Sequence, residues 1–222
     1  MLRTELDHHL DDLRAAVLDT GALVVDAIAR TSEARLRGDH ALAARVIAGD
    51  EAIDRAALRV EERGARVIAL QQPALGDLRA VLAALAIAQD LERMGDHAEG
   101  IARLVLRAPR ELDAPVCAGL RALTTLARVQ VQDALDAYRA GDADRARRVW
   151  QGDAAVDRLY AGLVATVMGA MDQATDADAL MTGTYALWSA HALERIADRA
   201  TNMCERVVYI ATGERRHEFA VA

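Results

Sequence analysis

The sequence predicts an all-α protein of two tandem antiparallel three-helix bundles, the second a copy of the first. Three observations carry that prediction. Breaks are sparse, with prolines only at Pro73, Pro109 and Pro115, and the chain between breaks keeps helical periodicity for about 30 residues at a time. Aromatic residues make up 3% of the chain while Ala, Leu, Val and Arg dominate, which favours helices over strands. The chain also repeats itself. LERMGDHAEGIA at 91–102 returns as LERIADRATNMC at 193–204, and VIAGDEAID at 46–54 returns as VWQGDAAVD at 149–157.

Each element follows from local pattern. Leu6, Leu10, Leu13, Val17, Val24 and Ile28 form one apolar stripe, which places a first helix at about 3–37. Gly38-Asp39 breaks it. A second helix follows at 39–72, with Val46, Ile53, Val60, Val67 and Leu70 in heptad-like spacing. Pro73 ends that helix, and Asp77 is a plausible N-cap for a third at 77–107. Pro109 and Pro115 bracket a linker, and a fourth helix spans 115–140. Gly141-Asp142 repeats the earlier turn, a fifth helix spans 142–174, and Asp176 or Asp178 caps a sixth at 177–213. Such helices measure roughly 45 Å each at about 1.5 Å per residue. Short connections make neighbours antiparallel, so each half is expected to be an up-down-up bundle. The expected division is residues 1–110 and 111–222.

Composition excludes several classes of function. Apolar content of 53% with 27% charged residues rules out a disordered tail. A net charge of −7 argues against a nucleic-acid partner. All 27 basic residues are arginine, so a P-loop lysine, a Schiff base and lysine general-base chemistry are impossible. Cys117 and Cys204 lack a CxxC partner and read as buried or incidental thiols. Acids at Glu5, Asp7, Asp11 and Asp12 are foreign to a signal peptide, and apolar runs such as Val81–Ala88 fall short of a bilayer span of about 18 residues. A soluble, cytoplasmic protein without membrane insertion is expected.

Chemistry concentrates in carboxylates. Glu92/Asp96 and Glu194/Asp198 are i, i+4 pairs, as are Asp50/Asp54 and Asp153/Asp157. Such positions lie about 5–6 Å apart on one helix face, where like charges repel mildly. Counting from the turns, Asp54 and Asp96 stand at similar heights on adjacent helices, and so do Asp157 and Asp198. Four carboxylates can therefore converge in each half. Carboxylate oxygens are hard ligands suited to Mg²⁺, Mn²⁺, Ca²⁺ or iron. Asn202 and Glu205 extend the second stripe, and Glu99 extends the first. The alternative is a set of solvated acids paired with Arg55, Arg93, Arg158 and Arg195, each pair worth about 0.3–0.5 kcal/mol.

Other motifs are thin. His8, His9, His40, His97, His191 and His217 have no counterparts between the halves, and no Cys or His is placed for structural zinc. Glu5-His8 is a lone E-x-x-H without the second copy that a di-iron bundle needs. Trp150, Trp188, Tyr160 and Tyr185 read as bundle core. With only Ser32 and Ser189 as serines, no nucleophilic triad or phosphate loop stands out.

DLRAVLAALAIAQDLERMGDHAEGIA (77–102) and HALERIADRATNMCERVVYIATGE (191–214) resemble the PhoU family, the accessory proteins of phosphate-specific transport systems. The resemblance spans essentially the whole chain, including both GD-x-x-x-D segments. It implies two three-helix bundles with paired metal sites, a cytoplasmic location and assembly as a homodimer or larger oligomer. It further implies coupling of a phosphate ABC importer, through its ATPase subunit, to a sensor histidine kinase, with uptake and starvation genes restrained when phosphate is plentiful. Carried onto this sequence, the metal-site motif falls on Asp50, Asp54, Glu92 and Asp96, and on Asp153, Asp157, Glu194 and Asp198. The cofactors implied are divalent or ferric ions: iron, Mn or Mg. Two departures stand out, Ala197 where the family usually has Gly and Gly100 where it usually has Asn. Both set the two sites apart. The competing functional classes are a carboxylate-metal enzyme, of di-iron or phosphohydrolase type, and a metal-free helical scaffold.

Overall fold

The computed structural model describes residues 2–213, and Glu214, His217 and the end of the expected second unit lie outside them. Six helices and no strand occur among the described residues: α1 (Leu2–Arg37), α2 (His40–Gln71), α3 (Leu75–Arg107), α4 (Ala114–Ala140), α5 (Ala143–Asp172) and α6 (Ala177–Thr212).

The recurring Gly-Asp turn has a definite job. Gly38 and Gly141 take the left-handed conformation at φ +61° and +63°, which a residue with a side chain adopts only at a cost. The next residue serves both helices. The Asp39 amide donates to the Ala34 carbonyl at 3.0 Å, while its carboxylate accepts from the Leu42 amide at 2.8 Å. Asp142 repeats this with the Ala137 carbonyl and the Arg145 amide. Two residues thus close one helix and open another. Asp176 caps α6 by accepting from the Ala179 amide. Asp77 is not the N-cap of α3: Ala74 takes that place after Pro73 and the helix begins at Leu75, so Asp77 lies in its first turn.

Helices α1–α3 pack against one another, as do α4–α6, and the two bundles meet through α1 with α4 and α3 with α6. Each of those junctions is a helix against its own repeat. The α3–α6 pair is antiparallel, since Gly213 at the end of α6 lies against Arg79 near the start of α3. Midway, Arg199 donates to Asp90 at 3.1 Å. Ser32 on α1 donates to Thr124 on α4, and Arg35 on α1 donates to Ser189 on α6. Arg35 is 5% exposed, and burial pulls its guanidinium down to about 10.

One hydrophobic core runs through both halves. Leu13, Ile28, Ile87, Leu91, Met94, Leu123, Ile196 and Met203 are fully buried in it. They come from α1, α3, α4 and α6, while α2 and α5 each add one buried face, Ile53, Val60 and Val67 from the former and Val156, Leu163 and Val167 from the latter. By length and composition α5 is apolar enough to cross a membrane, although it holds no unbroken apolar run of that length; here it packs against α4 and α6 through Val156, Leu163 and Val167. Cys117 and Cys204 are free thiols, the latter buried. Trp150 and Tyr160 pack on the core as expected. Trp188 does not. It is 55% exposed because the inward stripe of α6 runs through Ala186, Ser189, Ala190 and Leu193.

Candidate metal centre

The first acidic cluster forms where α2 crosses α3. Ile53 and Val60 turn one face of α2 into the core, and Leu91, Met94 and Ala98 do the same for α3. The acids are therefore left along the seam between the two helices. Asp50, Asp54 and Asp96 each present a carboxylate oxygen, and those oxygens lie within 4.8 Å of one another. Among the described residues this is the group of carboxylates that meets so closely. Among the described residues none of the three makes a hydrogen bond or an ion pair. Arg55, a candidate partner, turns instead to Glu51 at 2.6 Å.

The electrostatics record the crowding. Asp50 is pushed up to about 6, first by partial burial and then by Asp54, Glu99, Asp96 and Glu92. Glu92 and Asp96 are raised too, with burial as the leading cause and the neighbouring acids next. Glu92 thus borders the triad without joining it. Glu99 is the member that sequence spacing undervalued, although it lies one turn beyond Asp96 on the same face; it bonds outward to Arg103.

Close approach of the helices depends on Gly95. A Cβ there would fall 3.1 Å from the Asp50 Oδ1 oxygen and 3.1 Å from two carbons of Ile53. Three unpaired hard donors around a seam that a Cβ would fill suit a di- or trivalent cation.

The second cluster has the same acids in a different state. Asp153, Asp157, Glu194 and Asp198 lie within one another's fields, and Asp153 and Glu194 are raised, chiefly by burial. Their oxygens do not meet as a close triad. Gln130 donates to Asp153 at 3.0 Å, Arg195 to Asp198 at 2.8 Å, and His191 lies 3.3 Å from Glu194. Gln130 was invisible to spacing arguments because it comes from α4, outside the α5–α6 hairpin.

The PhoU domain model matches residues 17–105 and again 120–207. A phosphate-specific transport system accessory protein PhoU homolog of Streptococcus pneumoniae is 36% identical over 214 residues, covering 96% of this chain and 98% of that protein. The chain belongs to the PhoU family. The Escherichia coli accessory protein PhoU is 31% identical, across 95% of this chain and 86% of its own. Two crystal structures agree in fold. PhoU of Streptococcus pneumoniae superposes with a TM-score of 0.87 at 34% identity, covering 94% of this chain and 98% of that one; PhoU of Pseudomonas aeruginosa gives 0.86 at 31%, covering 94% and 99%. These PhoU relatives are named as accessory and regulatory proteins of phosphate transport, and the family is not one of enzymes. The metalloenzyme alternative is set aside on that ground.

Within this PhoU chain the repeat has moved one carbon between facing positions. Gly95 and Ile53 in the first half align with Ala197 and Val156 in the second, all four buried. Side-chain volume is conserved across the pair, which is the best-tolerated kind of core change. Gly95→Ala alone should therefore crowd Ile53 and Asp50, whereas Gly95→Ala with Ile53→Val should recover most of what the single change loses. Thermal melts of the two singles and the double measure this. Strict additivity would remove the packing account.

Proposed function

We propose that the chain is a regulatory adaptor of phosphate uptake, restraining a phosphate ABC importer and an associated sensor histidine kinase when phosphate is plentiful. The observation that carries this reading is similarity along nearly the whole chain to proteins named as accessory to phosphate-specific transport. Its partners are the importer's ATPase subunit and the kinase, and it acts in the cytoplasm as a homodimer or larger assembly. The remaining outward helix faces supply the docking surfaces.

The acidic seams give the adaptor its ions, divalent or ferric, with iron, manganese or magnesium as the candidates. In the first half Asp50, Asp54 and Asp96 hold the cation, with Glu92 beside them. What the cation supplies is charge: it neutralises the carboxylates that otherwise repel across the seam, and so stiffens the packing of α2 on α3. The protein's own contribution is to hold the acids at matched height and to keep Cβ atoms out of the way at Gly95.

Deleting the chain's gene in its native cells, then following phosphate uptake and co-purification of the importer's ATPase subunit with the tagged chain, tests the reading. Uptake in rich phosphate should rise several-fold on deletion, and the ATPase subunit should co-purify. Unchanged uptake without co-purification would remove the adaptor assignment.

A further inference from the structure

The two acidic clusters are copies in sequence, yet the groups set against them differ in kind. Where the first half has Ala27, the second has Gln130; where it has His97 and Glu99, the second has Arg199 and Thr201. Each change works in one direction at its own position, adding a donor or removing an acid. One acid returns, since Glu205 aligns with Arg103.

The contacts follow the substitutions. Among the described residues Asp50, Asp54 and Asp96 make no hydrogen bond or ion pair, and the aligned Arg93 acts on Asp96 only through its field. In the second half Arg195 reaches Asp198 at 2.8 Å, and Gln130 occupies Asp153. Arg199 is held beside them by Asp90 across the α3–α6 junction, a place the first half gives to His97. A groove of about 490 Å³ on this side is lined by Arg195 and Arg199 together with Asp153, Asp198, Asn202 and Trp150. A cation entering it meets two fixed positive charges, and Asp198 must first release a charge-assisted bond, roughly twice as strong as a neutral one.

We propose that the chain takes metal in its first cluster alone, and that Arg195 serves as the built-in counter-ion of the second. This rests on the metal reading above and sharpens it. The duplication has yielded one site that exchanges its cation with solution and one that carries a permanent, covalently tethered charge. The first half then responds to metal supply, while the second has Asp198 neutralised within α6 and Asp153 held from α4 without it.

Equilibrium dialysis of the full chain against manganese, with bound metal measured per chain, tests this. Asp54→Asn with Asp96→Asn should lower tightly bound manganese at least tenfold, and Asp157→Asn with Asp198→Asn should leave it unchanged. Arg195→Gln with Arg199→His should add a second class of bound manganese, a gain that a misfolded variant could not mimic. Equal losses from the two carboxylate pairs would overturn the inference and leave the metal reading standing. No gain in the arginine variant would overturn the role of Arg195. No manganese bound by the unaltered chain would overturn both readings together.

Discussion

Leu91→Ala is expected to destabilise the whole chain by about 2–5 kcal/mol, lowering the melting temperature by about 2–4 °C for each kcal/mol, in one cooperative transition. Leu91 is fully buried on α3, and its repeat Leu193 on α6 is 2% exposed. Both belong to a single apolar cluster that also takes side chains from α1 and α4. Removing three carbons from either position leaves a cavity in a closely packed interior that relaxes only partly. Because the core is continuous, Leu193→Ala should shift the same transition by a comparable amount. Circular dichroism and calorimetry on the two variants measure both claims. Two separate transitions, each moved by only one variant, would mean that the halves melt as independent bundles.

The second large effect is a divergence between metal-free and metal-loaded protein above pH 6. Asp50 is raised to about 6 in the folded chain, against about 3.9 when unfolded. The folded state thus binds this proton more tightly than the unfolded state. Its favourable contribution is fully present below about pH 4 and is lost as pH rises through 6. Glu92 and Asp96 are shifted in the same direction. Metal binding runs the opposite way, because the ligands must first lose their protons. At manganese about 100-fold above its dissociation constant the added stability is about 2.7 kcal/mol, appearing as pH rises through 6. Denaturant melts from pH 5 to 8, with chelator or with manganese, should therefore fan apart. In Asp50→Asn the fall in chelated stability through pH 6 should flatten. Parallel curves would show that these acids carry neither proton nor metal linkage.

Much of this architecture was legible in the residues themselves. The helix ends at the two Gly-Asp turns, the cap at Asp176 and the duplication all depend on interactions within a turn or two of chain. Misplacements were local as well. Asp77 has a side chain able to cap, but Ala74 is the N-cap and α3 starts at Leu75. Residue type alone points Trp188 inward, while the small residues Ala186, Ser189 and Ala190 mark the true inward stripe of α6.

The acids divide along the same line. Their spacing and equal height on paired helices could be counted from the turns, since helical rise is constant. The convergence of Asp50, Asp54 and Asp96, with Glu92 left at the border, turns on a 3.1 Å approach at Gly95. The pairing of Asp198 with Arg195 is a side-chain contact one turn along α6, and that of Asp153 with Gln130 depends on a third helix. The placement of Arg35 against Ser189 required the two bundles to be docked. By itself the sequence determined the six helices, their duplication and the family. Only the tertiary structure decided which of two equivalent-looking clusters brings three carboxylates within 4.8 Å of one another, because that depends on distances between helices, which no periodicity along a single chain encodes.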